Sequence, residues 1–97
     1  LIYVGDADLM CNWQGTQAWT LDLEWKGKTE FNAAKEQAFT THDPLVADAP
    51  IVDAGVLRSF ENFAMLRVFN SGHMVPMDQP AVALDMVNRF IRNELVR

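Results

Sequence analysis

Two apolar runs, each ending at a loop with chemical potential, constrain this chain more than any other feature. The first is Leu1-Ile2-Tyr3-Val4, followed by Gly5-Asp6-Ala7-Asp8. The second is Phe63-Ala64-Met65-Leu66-Arg67-Val68-Phe69, followed by Asn70-Ser71-Gly72-His73-Met74-Val75-Pro76. Continuous apolar runs of this kind fill strands buried on both faces of a parallel sheet. Such strands need neighbours on each side and helices above and below, which predicts an α/β architecture. In these sheets the loops just past the strand ends present the chemistry. Here an early strand ends in an acid and a later one in a histidine. A single turn histidine has a chemical role less often than not. The acid at the other strand end is what favours a site.

Charge narrows the partners. With 13 acidic and 8 basic residues the net charge is −5, which argues against nucleic acid or an anionic membrane surface. No stretch approaches the roughly 18 apolar residues of a membrane span. The 97 residues suit one small domain, and 49% apolar with 22% charged residues is ordinary globular composition. The opening residues carry neither the basic flank nor the cleavage site of a signal peptide. A buried strand with nothing before it to pair with, and no initiator methionine, leads to the expectation that residues 1–97 are a piece of a larger protein. The single cysteine, Cys11, cannot form an internal disulfide. It reads as a free thiol, a partner to a cysteine elsewhere, or a small buried apolar residue.

After Asp8 a helix is expected from Asn12, a good N-cap, to about Leu23, with Ala18, Trp19 and Leu23 at helical spacing. Gly15 weakens its first turn, and Lys26-Gly27-Lys28 is read as its stop. Trp13, Trp19 and Trp25 do not share one helical stripe, so each is expected to pack against different neighbours as core or interface bulk. From residue 28 to about 50 the pattern allows a short helix or irregular turns around Phe31, Ala34, Ala38 and Phe39. Asp43-Pro44 and Ala49-Pro50 break any regular element there. His42 is read as an exposed loop residue. Val56–Phe60 and Phe63–Phe69 predict two strands joined at Glu61-Asn62. A final helix follows Asp78-Gln79-Pro80, with proline in its first turn. Ala83, Val87, Phe90, Ile91 and Leu95 are expected to form its inward face, opposite Asp85, Asn88, Arg89, Arg92 and Glu94.

Gly5-Asp6-Ala7-Asp8-Leu9-Met10-Cys11-Asn12-Trp13 and Gly72-His73-Met74-Val75-Pro76-Met77-Asp78-Gln79-Pro80 together resemble the C-terminal part of the serine carboxypeptidases, in the carboxypeptidase Y and cathepsin A branch. The resemblance covers residues 1–25 and about 54–93, with 28–53 matching a variable insertion only loosely. It implies one segment, residues 1–97, of a single α/β-hydrolase domain: strand, Asp loop and helix, then hairpin, His loop and C-terminal helix. This is not a complete domain. It also implies that Asp8 is the acid and His73 the general base of a Ser–His–Asp triad. Asp6 is the rival acid, read instead as making an Asx-type hydrogen bond within its own turn. Met10 and Cys11 would border the pocket for the residue before the scissile bond, and Met74 the pocket for the leaving amino acid.

The implied activity is release of C-terminal amino acids from peptides bearing a free C-terminal carboxylate, by acyl transfer to water. No cofactor and no metal is implied, and the family suggests a vacuolar, lysosomal or secreted home. The serines present, Ser59 and Ser71, lie in no Gly-x-Ser-x-Gly elbow. The nucleophile is therefore expected from an upstream part of the same enzyme, and residues 1–97 alone are expected to be inactive and unstable. Two alternatives stay open: a carboxypeptidase-like acyltransferase, or a non-catalytic protective or scaffold homologue lacking the serine.

Overall fold

The computed structural model describes residues 1–96. Four strands, β1 (Ile2–Gly5), β2 (Gln37–Thr41), β3 (Val52–Phe60) and β4 (Phe63–Val68), form one mixed sheet in the order β1-β4-β3-β2. β1 runs parallel to β4, and the other two pairings are antiparallel. The helices are α1 (Trp13–Asp22), α2 (Lys28–Ala33), the short α3 (Val75–Asp78) and α4 (Pro80–Ile91). The expected hairpin is present, with Phe60 opposite Phe63 and Glu61 in the left-handed region at φ 53°.

Strand β4 shows why the sheet is covered on both sides. Side chains alternate across a strand, and Ala64, Leu66 and Val68 join Phe39, Leu57, Val82 and Met86 in a core beneath α4. On the opposite face Phe63 and Met65 join Val4, Phe31, Trp25 and Leu21 beneath α1 and α2. Arg67, the one charge in the run, falls on that second face and lays its guanidinium 3.9 Å from the ring centre of Trp13. A cation–π contact of about 0.5–2 kcal/mol makes the charge tolerable there. The tryptophans do part company as expected: Trp13 meets Arg67, Trp25 packs among Phe31, Phe60 and Phe63, and Trp19 is largely exposed.

Several expectations need correction. Among the described residues β1 lies at the edge of the sheet, with Val4 buried and Tyr3 exposed. Helix α1 ends at Asp22, and Gly27 caps the start of α2 instead of stopping α1. The inward side of α1 is marked by Thr20, whereas Ala18, Trp19 and Leu23 are exposed. Ala38 and Phe39 lie in a strand, not a helix or turn, because β2 pairs along β3 and buries Phe39 and Thr41 on one side. Strand context overrides a weak helical pattern of this sort. His42 follows β2 in a loop, half-buried instead of exposed.

The largest correction concerns α4. Its buried residues are Val82, Ala83, Asp85, Met86 and Arg89, while Val87, Phe90 and Ile91 are exposed. Asp85 and Arg89 stand one turn apart and satisfy one another at 3.4 Å. Thr41 donates its hydroxyl to Asp85, and Arg89 donates to the carbonyls of Thr40, Glu94 and Leu95 while lying over Phe39. Polar groups so fully paired can be buried. The helix consequently turns a polar seam inward, to β2, and an apolar stripe outward.

Candidate active site

The parallel pairing of β1 with β4 places Gly5 beside Val68, so both strands end at the same edge of the sheet. Beyond them the two loops are stitched together. Asp6 N–H donates to the Val68 carbonyl at 2.9 Å, and Ala7 N–H to the Ser71 carbonyl at 2.8 Å. Gly5 is required by this closeness: a Cβ there would lie 2.3 Å from the Ser71 carbonyl oxygen. The Asp6 carboxylate accepts from Ser71 N–H at 3.4 Å. It thus braces the neighbouring loop, and does not form the local Asx bond expected of it.

The local bond belongs to Asp8. Its Oδ1 accepts from the N–H groups of Met10 and Cys11, at 3.1 and 3.0 Å. Its Oδ2 faces His73 Nδ1 at 3.0 Å. The Cys11 N–H is the leading cause that holds the Asp8 carboxyl below its ordinary range, against the opposing effect of burial; His73 and the Met10 N–H act in the same sense. Asp8 is therefore an ionised acceptor with both oxygens engaged.

His73 reaches Asp8 from a loop with its own supports. Asn70 takes the left-handed conformation at φ 54°, which asparagine tolerates, and its carbonyl accepts from the Gln79 side chain at 3.2 Å. Gly72 N–H donates to Asp78 Oδ2 at 2.7 Å. Val75, fully buried, pins the start of α3 to the core. The His73 side chain is 65% exposed against 6% for Asp8. No hydrogen bond engages its Nε2 among the described residues. The pair thus has a buried, anchored end and an open, solvent-facing end.

A cleft of about 360 Å³ opens beside the pair, lined in part by Tyr3, Gly5, Asp8, Cys11, Trp19 and His73. Cys11 is an exposed free thiol on its wall, which removes the reading of it as a buried apolar residue. Met10 and Met74 lie outside the cleft lining, both strongly exposed. Donor atoms of Asp8, Cys11 and His73 all fall within 4.8 Å of one another, a set that could hold a metal ion. Sequence reasoning missed Trp19 and Tyr3 as cleft residues. The usable signal was position: Trp19 lies on the helix that follows the Asp loop, and Tyr3 on the strand that precedes it. It also missed Asp78 as a support of the histidine loop.

The sequence profile of the serine carboxypeptidases matches residues 1–93. The chain belongs to the serine carboxypeptidase family. It is similar to the serine carboxypeptidase-like 49 protein of Arabidopsis thaliana, 45% identical over 99% of this chain and 17% of the relative. It is similar also to the carboxypeptidase Y homolog A of Botryotinia fuckeliana, 48% identical over 96% of this chain and 16% of that protein. Serine carboxypeptidase 3 of Triticum aestivum is 46% identical over 98% of this chain and 17% of its own length. This family member thus spans about a sixth of the length of those relatives. Within it, Ser59 lies in β3, and Ser71 is buried with its hydroxyl unpartnered; neither bonds to His73. No helix among the described residues of this serine carboxypeptidase chain is long and apolar enough to cross a membrane.

Proposed function

We propose that this chain contributes the acid and the base of a Ser–His–Asp triad to a serine carboxypeptidase of α/β-hydrolase fold. The observation that carries the reading is the 3.0 Å approach of Asp8 Oδ2 to His73 Nδ1, with the other Asp8 oxygen held by backbone. With the Nδ1 proton directed at Asp8, Nε2 is the basic nitrogen at the exposed side of the ring. The proton of a serine hydroxyl passes to Nε2 as its oxygen bonds to the last peptide carbonyl carbon. The C–N bond then breaks, and Nε2 returns that proton to the leaving amine. Water repeats the sequence on the acyl-enzyme: its proton goes to Nε2, and the serine oxygen leaves with it. Asp8 stays ionised throughout and stabilises the imidazolium, a role its lowered pKa suits.

The nucleophile, the oxyanion hole and the groups that grip the substrate carboxylate come from a part of the enzyme outside residues 1–97, in the same chain or a partner chain. On this reading residues 1–97 alone form no acyl-enzyme, since acid and base without a nucleophile cannot. Cys11 and Met10 edge the pocket for the residue before the scissile bond, and Met74 the pocket for the leaving residue. An acidic compartment, vacuolar, lysosomal or extracellular, fits the family. The test is turnover of a blocked dipeptide by the full-length protein, together with labelling by a fluorophosphonate probe. Free C-terminal amino acid and a labelled serine are expected. Product formed chiefly on an added alcohol would make it an acyltransferase, and absence of labelling would make it a non-catalytic homologue.

A further inference from the structure

We propose that Asp8, Cys11 and His73 form a chelating site for a borderline-soft divalent cation of the zinc type, whose binding replaces the proton shared by Asp8 and His73. The donor set is the first argument. A thiol, an imidazole and a carboxylate lie within 4.8 Å of one another, on two loops that backbone hydrogen bonds hold together. Sulfur and nitrogen ligands are the ones that select zinc over magnesium or calcium.

Geometry is the second argument. Asp8 and Cys11 are fixed relative to each other, because the Cys11 N–H donates to Asp8 Oδ1. Asp8 Oδ2 remains as the oxygen aimed at His73. Metal–ligand bonds of about 2.0–2.3 Å put tetrahedral ligand atoms about 3.3–3.8 Å apart. The Asp8–His73 separation of 3.0 Å is already near that spacing. No two donor atoms are more than 4.8 Å apart, so reaching that spacing takes about 1 Å at most, and the exposed Cys11 side chain is free to rotate.

The charge balances as well. On binding, the Cys11 thiol loses its proton to solvent, while His73 gives up the proton on Nδ1 and takes one up on Nε2, so the ring stays neutral. A dication then meets one thiolate and one carboxylate, so the loaded site is neutral, with a fourth position open to water. The same loop that carries the acid thus carries a thiol able to take the histidine out of service. This inference goes beyond the catalytic reading, since chelation needs only these three side chains.

The full-length protein should be titrated with Co²⁺, a zinc surrogate whose thiolate complexes absorb in the near ultraviolet. A thiolate-to-cobalt band is expected, and zinc should displace it. Cys11→Ser should abolish the band and weaken cobalt binding by about tenfold or more, and His73→Ala should weaken it similarly while leaving a thiolate band. Zinc should also slow alkylation of Cys11 in the unmutated protein, with EDTA restoring the rate, a readout that depends on no variant. A band that survives Cys11→Ser, or an alkylation rate indifferent to zinc, would overturn the proposal. An intact cobalt band in a protein that fluorophosphonate does not label would sink the catalytic reading alone.

Discussion

Two aspartates in this chain are each paired with a nitrogen base, and the two regions they occupy behave oppositely. Asp85 and Arg89 have side chains only 7% and 5% exposed, and Arg89 also donates to three backbone carbonyls. Asp8 is equally buried, but its partner His73 is 65% exposed. At the first pair the donors of the base are turned into the protein, so the pair can do little but fasten α4 to β2. At the second, one face of the base is anchored and the other is presented to a cleft. Burial of the acid is common to both. Exposure of the base is what separates a fastening from a reactive group.

Removing each pair in turn in the full-length protein separates the two roles. His73→Ala or Asp8→Asn should cut turnover by roughly 10⁴ or more while leaving the protein folded. The double change should cost little beyond the worse single one, because the two act as a unit. Additive losses would show that they do not. Asp6→Asn is the control, and a larger loss there than at Asp8 would mean that the wrong acid has been chosen.

Arg89→Met should do the reverse. It strands the Asp85 carboxylate in the core, a defect of about 3–5 kcal/mol when one partner of a buried pair is lost. Urea unfolding should show it as a lowered midpoint, with turnover per folded molecule unchanged. Replacing both partners, Asp85→Leu with Arg89→Met, should recover most of that loss. If the single and double variants are equally unstable, hydrogen bonds to the backbone, not the pair, hold the helix.

The same contrast explains what could be read from the sequence. The two strand ends, the N-cap Asn12, the hairpin turn and the proline that opens α4 are local signals, and each appears where expected. The meeting of Asp8 with His73 was legible because parallel strands bring their ends to one edge. The orientation of α4 was not. Periodicity gave the stripe Ala83, Val87, Phe90, Ile91 and Leu95, of which Ala83 and Leu95 are buried and the other three exposed, because an apolar pattern does not report which side the sheet takes. Asp85 and Arg89 look like solvent residues until Thr41 is known to lie opposite. β2 itself was hidden, since only Phe39 and Thr41 of its five residues are buried and a loop with two prolines, Pro44 and Pro50, separates it from its partner β3.

A finer cut tests how firmly the open end of the reactive pair is held. Asp78 accepts from Gly72 N–H, one residue before His73. Asp78→Ala should loosen the loop and lower kcat by about 10–100-fold, the scale of a small displacement of a reacting group, with KM little changed. Asp78→Asn keeps an oxygen that can accept the same bond, so it should retain most of the activity. Equal damage from both would mean that the charge of Asp78, not its hydrogen bond, is what matters.

The smallest effect concerns pH. Asp8 has a folded-state pKa below its ordinary value of 3.8, led by the Cys11 N–H. A depressed carboxyl pKa means that the unfolded chain binds the proton more readily than the folded one. Its contribution to stability is therefore fully present above about pH 4 and is lost as pH falls through the lower folded value. Asp8→Asn carries no such group, so its acid unfolding curve should fall less steeply in that range than that of the unmutated protein. Acid titrations of stability, followed by tryptophan fluorescence, should show that difference in slope between Asp8→Asn and the unmutated protein. Parallel curves would mean that the backbone N–H groups around Asp8 hold its ionised form no better than water does.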